Sequence, residues 1–218
     1  EGIKFIEDNK NKPFCVVISY NPPHTSGGSG FEDRWQPGKS ESNGSIKYGY
    51  GYGGPREFEA LYAKNDYELN PIRGNVKPTR RFGDSSAECV AGYFGSITAI
   101  DQDFGNLMKY LEENNLLENT IIVFTSDHGE SMGSHGLMTK GTWFEESVGV
   151  PFLIGWKGKI KPKREDCVFN SIDVLPTLLG LSGIAKPDGI DGTDYAPLLL
   201  GKSFNKPEYA FNSFDFGG

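Results

Sequence analysis

The strongest periodic signal lies after residue 85. Tyr93, Ile97, Ile100, Phe104, Leu107, Met108 and Leu111 recur at steps of three and four, the stripe of an amphipathic helix. Asp84-Ser85-Ser86 stands where a cap is expected, and Asn114-Asn115 stands where the helix should end. Thr120 to Ser126 then runs apolar almost throughout, predicting a buried strand, and Asp127-His128-Gly129-Glu130 follows at once. Two more runs predict strands, Phe14 to Ser19 and Val150 to Trp156. The first closes on the Pro-rich turn Asn21-Pro22-Pro23-His24. Ser171 to Gly180 predicts a helix capped by Ser171 and closed by Gly180. Glu208 to Phe214 alternates weakly, as a strand of a further element would. Helix followed by buried strand is the rhythm of a mostly parallel sheet covered on both faces, hence an α/β architecture.

Between Thr25 and about Lys77 this patterning stops. The stretch Tyr48-Gly49-Tyr50-Gly51-Tyr52-Gly53-Gly54 has the look of low complexity. Two readings stay open for it, a disordered linker or a loop beside a ligand. No repeat recurs at a fixed period.

Composition narrows the function classes. Two hundred and eighteen residues suffice for one sizeable core with a small appendage. A net charge of −7 argues against a general nucleic-acid binder and against adhesion to acidic membranes. No apolar run reaches the roughly 18–20 residues of a bilayer span. Glu1 is not an initiator Met, so the chain is expected to be processed or part of a longer protein. Cys15, Cys89 and Cys167 are isolated beside Val or Phe and are expected to be small buried hydrophobes; their odd number does not suggest a disulfide framework.

Candidate chemistry gathers where predicted strands end, the place where open α/β sheets hold ligands. Asp127 and His128 are an adjacent carboxylate and imidazole that can reach one divalent cation; an Asp capping the next turn is the plain alternative. Lys140, in a Gly-rich stretch, can neutralise a bound anion or a departing oxygen, or can simply be a solvated lysine. His24 can donate a proton or hydrogen bond to the same place, or be an ordinary loop histidine. His135 reads as a loop-ordering residue. Glu145 and Glu146 are adjacent, so they do not share a helix face and make a poor acid–base dyad. One of them is expected to hold a loop or pair with an Arg.

Taken together, the ordered motifs resemble the sulfatase family of the alkaline-phosphatase-like superfamily. The matching text is Asn119 to Gly129, then Ser134-His135-Gly136, Lys140, Phe144-Glu145-Glu146-Ser147 and Val150-Pro151. Upstream, Pro22-Pro23-His24 resembles the family's Pro-His turn. Downstream, Ile172 to Leu179 with Asp188-Gly189 and Asp191-Gly192 resembles its late helix and following loop. The resemblance implies an α/β/α sandwich with a mostly parallel sheet, incomplete on its N-terminal side. Residues 1–205 would belong to its core, with 25–80 as a variable loop region where substrate preference lies, and 206–218 would begin a truncated C-terminal subdomain. It also implies that Asp127 and His128 are two ligands of an active-site Ca²⁺, and that His24 and Lys140 contact the sulfate group and help the alcohol leave.

The sequence departs from the family at the nucleophile. Such enzymes oxidise the Cys or Ser of a Cys/Ser-x-Pro-x-Arg motif to formylglycine, and no such motif occurs here. The family's early paired Asp and early Lys-His contacts are absent too. The missing N-terminal half of the same protein is therefore the expected partner, and the chain alone is expected to be inactive. The substrate would be a sulfated small molecule or glycan, and the setting periplasmic, secreted or lysosomal. Two competing readings are a phosphoester or phosphonate hydrolase of the same superfamily and a non-catalytic module that binds sulfated glycans.

Overall fold

The computed structural model describes residues 1–24, 55–63, 74–76, 86–137 and 140–210. Contacts divide the chain into two compact units. The first comprises Glu1–Asn115, His128–Lys140 and Glu145–Gly149; the second comprises Leu116–Asp127, Gly141–Phe144 and Val150–Gly218.

The first unit is built on the helix that the sequence stripe predicts. Helices α1 (Gly2–Asn9) and α2 (Arg56–Ala63) both pack against α3 (Ser86–Glu113). Leu111 of the stripe is 2% exposed, whereas Ile97 remains 42% exposed. Tyr62 of α2 packs on Phe94 with ring centroids 5.5 Å apart, and its hydroxyl meets Thr98 Oγ1 at 2.7 Å. The helix stops where Asn114 and Asn115 predict. The backbone and side-chain N–H groups of Asn114 both donate to the Tyr110 carbonyl, and Asn115 takes a left-handed φ of 55°. Lys10, at the end of α1, donates to Asn114 Oδ1 at 3.0 Å and ties the ends of the two helices together. At the other end, Asp84 and Ser85 of the expected cap lie outside the described residues.

Residues 14–19 depart from the expected buried strand. They alternate between half-buried and exposed positions, but enter no ladder among the described residues, and Val17 is 85% exposed. The apolar pattern specifies an extended chain with two unlike faces, but a strand also needs a neighbour to complete its hydrogen bonds. Cys15 lies on the outward face of this segment and is exposed, not buried as expected.

In the second unit, β1 (Ile122–Thr125) pairs with β2 (Phe152–Gly155). Both strands fall where the sequence predicts them. Their pairing is antiparallel, with Ile122 opposite Gly155 and Thr125 opposite Phe152, not parallel as the helix–strand rhythm implies. The physical reason lies in the connection, whose described residues carry the one-turn helix α4 (Glu145–Val148) and no long crossover helix to return the chain in the same direction. Nor are the two strands buried on both faces. β1 is half-buried up to an exposed Thr125, and β2 alternates, with Leu153 59% exposed.

The core of this unit centres on Tyr195, which is 2% exposed. Phe152 packs against Phe169 with ring centroids 4.3 Å apart, Phe169 meets Tyr195 edge to face at 5.1 Å, and Tyr195 packs against Phe204 at 4.9 Å. The Tyr195 hydroxyl donates to the Val168 carbonyl, and burial pushes its pKa up to about 12. The predicted late helix is present as a 3₁₀ turn, Ser171–Asp173, running into α5 (Val174–Leu181). Its cap is Asn170 rather than Ser171. Asn170 Oδ1 accepts the Ser171 N–H while Asp173 Oδ2 accepts the Asn170 N–H, a reciprocal capping box. Asp173 also accepts the Thr193 N–H at 2.7 Å, pinning the following loop beside α5. Gly192, at φ 88°, passes so close to the Ile172 carbonyl that no side chain would fit, which accounts for Asp191-Gly192 in physical terms. That loop leads into α6 (Ala196–Leu199).

Beyond α6 the chain is held by charge. Lys206 and Lys163 both reach Glu165, at 2.9 and 2.5 Å, and Lys163 also donates to the Leu198 carbonyl. Those hydrogen bonds lower the Glu165 pKa, and the Glu165 carboxylate raises that of Lys206. Glu208 to Ala210 form no strand, and residues 211–214 of the expected one lie outside the described residues, as does the Tyr-Gly stretch at 48–54. Cys167 is half-buried, and burial raises its thiol pKa. Among the described residues no helix is long and apolar enough to cross a membrane.

Candidate active site

β1 ends at Thr125, and the exposed Asp127 stands two residues beyond it, with the Ser126 hydroxyl 3.4 Å from Oδ1. The next residue, His128, is half-buried and lies 2.8 Å from the Gly129 carbonyl through Nδ1. A carbonyl oxygen only accepts, so Nδ1 carries a proton, which in a neutral ring leaves the lone pair on Nε2. That is the tautomer a metal ligand needs. Gly129 is the residue that lets this turn form. Its N–H donates to the Ser147 carbonyl at 2.9 Å, and a side chain there would collide with the Glu146 carbonyl.

The chain then winds through a tight loop. Met132 and His135 adopt φ of 45° and 56°, and Gly133 and Gly136 adopt 90° and 75°. Backbone bonds from Ser134 to Ser131 and from Gly133 to Leu137 close it. His135 N–H donates to the Asn75 carbonyl, while Ser134 Oγ donates to Asn75 Oδ1 at 3.2 Å. Asn75 Nδ2 reaches Glu146 Oε1 at 3.0 Å, and His135 Nε2 lies 3.3 Å from Glu146 Oε2. The Asn75 hydrogen bond, followed by that from the residue's own backbone, holds the Glu146 carboxyl down at about 2. Glu146 thus holds a loop, as one of the two adjacent glutamates was expected to, with Asn75 and His135 among its partners. The loop-ordering reading of His135 is what the geometry shows. Asn75 belongs to none of the sequence motifs, and nothing in its neighbours marks it out.

Lys140 follows this loop, and its Nζ donates to His24 Nε2 at 2.7 Å. His24 is placed by the turn that begins at Asn21, where its N–H donates back to the Asn21 carbonyl and the Pro22–Pro23 bond is cis. The first unit therefore brings His24 and Lys140 together across 116 residues of sequence. A cationic ammonium and an imidazole at hydrogen-bond distance can hold one anionic group and pass a proton to a departing oxygen. Asp127, the residue before His128 in the chain, belongs to the second unit.

The sulfatase family model matches residues 1–184. The chain belongs to the sulfatase family. Among sulfatases, it is 36% identical over 191 residues to an ulvan-active sulfatase of Formosa agariphila, covering 86% of this chain and 32% of that protein. It is 32% identical to an endo-4-O-sulfatase of Bacteroides thetaiotaomicron, covering 89% and 34%. In structure it is similar to a protein solved in work on glycosaminoglycan metabolism by Bacteroides thetaiotaomicron. The TM-score is 0.75 at 29% identity, over 94% of this chain and 39% of the other. The architecture is thus the alkaline-phosphatase-like fold of sulfatases, while the described two-stranded sheet is too small to display its sandwich. The chain spans about a third of the length of the curated sulfatases it matches.

That fraction matters for metal binding. One carboxylate and one imidazole with its Nε2 lone pair suit a divalent cation in donor type, but the pair leaves most of a coordination shell to be supplied. Among the described residues no group of three or more His, Cys, Asp or Glu side chains is arranged to hold a metal ion.

Proposed function

We propose that this chain is part of a sulfatase that hydrolyses sulfate esters of a sugar or glycan. The observation that carries the reading is the hydrogen bond between Lys140 and His24 within a chain that matches the sulfatase family. In this reading Lys140 and His24 contact the sulfate group, and a proton passed from the ammonium through this pair to the leaving alcohol keeps the alkoxide from forming free. Asp127 and His128 would hold Ca²⁺, which supplies charge neutralisation to the sulfate when bound. The formylglycine nucleophile and the remaining ligands lie outside this sequence, in the rest of the parent protein. The chain is inactive without them. A glycan as substrate is supported by the names of the relatives, an ulvan-active enzyme and an endo-4-O-sulfatase. A periplasmic, secreted or lysosomal setting and a smaller subdomain beginning near residue 206 belong to the same reading.

The test is sulfate release by the parent protein from 4-nitrophenyl sulfate and from a panel of sulfated oligosaccharides. Release that collapses in Lys140→Ala is the expected result. No release from any substrate, or turnover by the 218-residue chain alone above its own Lys140→Ala variant, would overturn the reading.

A further inference from the structure

Glu146 is an expensive residue in its position. Its side chain is only 9% exposed, and the partners it meets include an amide, a hydroxyl and an imidazole. Withdrawing a carboxylate from water costs free energy that an apolar residue would not incur. Simple filling of space does not account for it. What the carboxylate does instead is join segments far apart in the chain. Oε1 takes the Asn75 amide across 71 residues, and Oε2 faces His135 in the loop that precedes Lys140. The one-turn helix that carries Glu146 also supplies the Ser147 carbonyl that receives the Gly129 N–H, directly after His128. Gly129 itself lies against the Glu146 carbonyl. Val76 and Ser134 add a β-bridge between the same two segments. One residue therefore bears on the orientation of His128 through the backbone and on the loop leading to Lys140 through its side chain.

We infer that Glu146 is a positioning residue, whose carboxylate clamps the Asn75 and His135 segments to α4 and so fixes the turn that carries His128 and the approach to Lys140. The inference rests on the sulfatase reading for its kinetic consequence, while its structural consequence stands apart from that reading. Glu146 touches no substrate; it acts through the His128-Gly129 backbone and through the loop at 133–137. Glutamine in its place keeps an oxygen for Asn75, whereas alanine removes both contacts. Loss of a group that orients active-site residues typically costs about 10–100-fold in activity.

The experiment uses the full-length parent with Glu146→Ala, Glu146→Gln and Asn75→Ala, reading two quantities. The first is hydrogen exchange of the peptides covering 128–137, followed by mass spectrometry. The second is kcat and KM for 4-nitrophenyl sulfate, normalised to folded protein. Glu146→Ala is expected to speed exchange at 128–137 at least about tenfold, leave peptides from α5 unchanged and lower kcat about 10–100-fold with little change in KM. Asn75→Ala should do the same more weakly, and Glu146→Gln should recover most of the loss. Exchange at 128–137 unchanged in Glu146→Ala would overturn the inference. So would an equal rise across the whole protein in both alanine variants, or Gln and Ala variants equally impaired. If the wild-type parent releases no sulfate, the sulfatase reading falls, and the exchange pattern still decides the role of Glu146.

Discussion

Lys140 Nζ lies 2.7 Å from His24 Nε2, although 116 residues separate the two in sequence. In this bond the ammonium donates and the imidazole accepts, so the two side chains are coupled directly.

Residues that act as a unit are non-additive when removed. Lys140→Ala and His24→Ala should each lower kcat of the parent on 4-nitrophenyl sulfate by about 10²–10⁴-fold, and the double variant should lose little more than the worse single one. Losses that multiply would show that the two residues work separately.

Gly129→Ala should destabilise the parent by about 1–3 kcal/mol, because its new methyl group meets a backbone carbonyl that cannot swing aside. Gly155→Ala in β2, where nothing lies within 4 Å of an added Cβ, serves as the control. It is expected to be neutral or stabilising by up to about 1 kcal/mol. Urea midpoints of the two variants make the comparison.

Acid should loosen the loop clamp in a defined window. The Glu146 carboxyl is held at about 2, below its ordinary 4.5, by the Asn75 hydrogen bond first and by its neighbours. A depressed carboxyl pKa means that the stabilisation is fully present above 4.5 and lost as pH falls from there toward 2. Protection of 128–137, taken relative to the intrinsic exchange rate at each pH, should fall across that interval in the wild type. Glu146→Gln should abolish the pH dependence of this protection, and a slope unchanged by that substitution would assign it to another carboxylate.

Base should weaken the second unit through Tyr195. Burial lifts its pKa from 10.0 to about 12, so the fold favours the neutral phenol; its stabilisation is complete below 10 and lost as pH rises toward 12. Tyr195→Phe should cost about 0.5–1.5 kcal/mol at neutral pH through the bond to the Val168 carbonyl, and should flatten this alkaline limb. Thermal melting of both proteins between pH 8 and pH 11 reads the difference.

How much of this was legible in the sequence depended on how local each signal is. α3 was readable because its stripe spans most of a 28-residue helix and its end carries Asn114-Asn115. β1 and β2 were readable from their apolar runs, but their antiparallel pairing was not, since direction depends on the path between strands. The extended segment at 14–19 shows the same gap, with the right residue types and no described partner. Asp127, His128, Lys140 and His24 were singled out as candidates by position and family likeness, and the structure adds the His24–Lys140 contact. Asn75 was invisible because its role arises only where three distant segments meet. The cap at Asn170 was missed because Ser171, the more familiar capping type, stands beside it.

The long spans of the first unit also set when it can be completed during synthesis. Lys10 waits for Asn114, 104 residues later; Asn75 waits for Glu146, 71 later; and His24 waits for Lys140, 116 later. At roughly 5–20 residues per second, the last of these intervals is on the order of 6–20 s. Throughout it, the apolar side of α1 and the extended segment at 14–19 must persist on the ribosome without these tethers. Contacts of such sequence separation also close slowly once both ends are present. The nascent chain is thus exposed to chaperone capture and to aggregation mainly before residue 146 has emerged, and a translational pause downstream of that codon would favour folding more than one placed upstream.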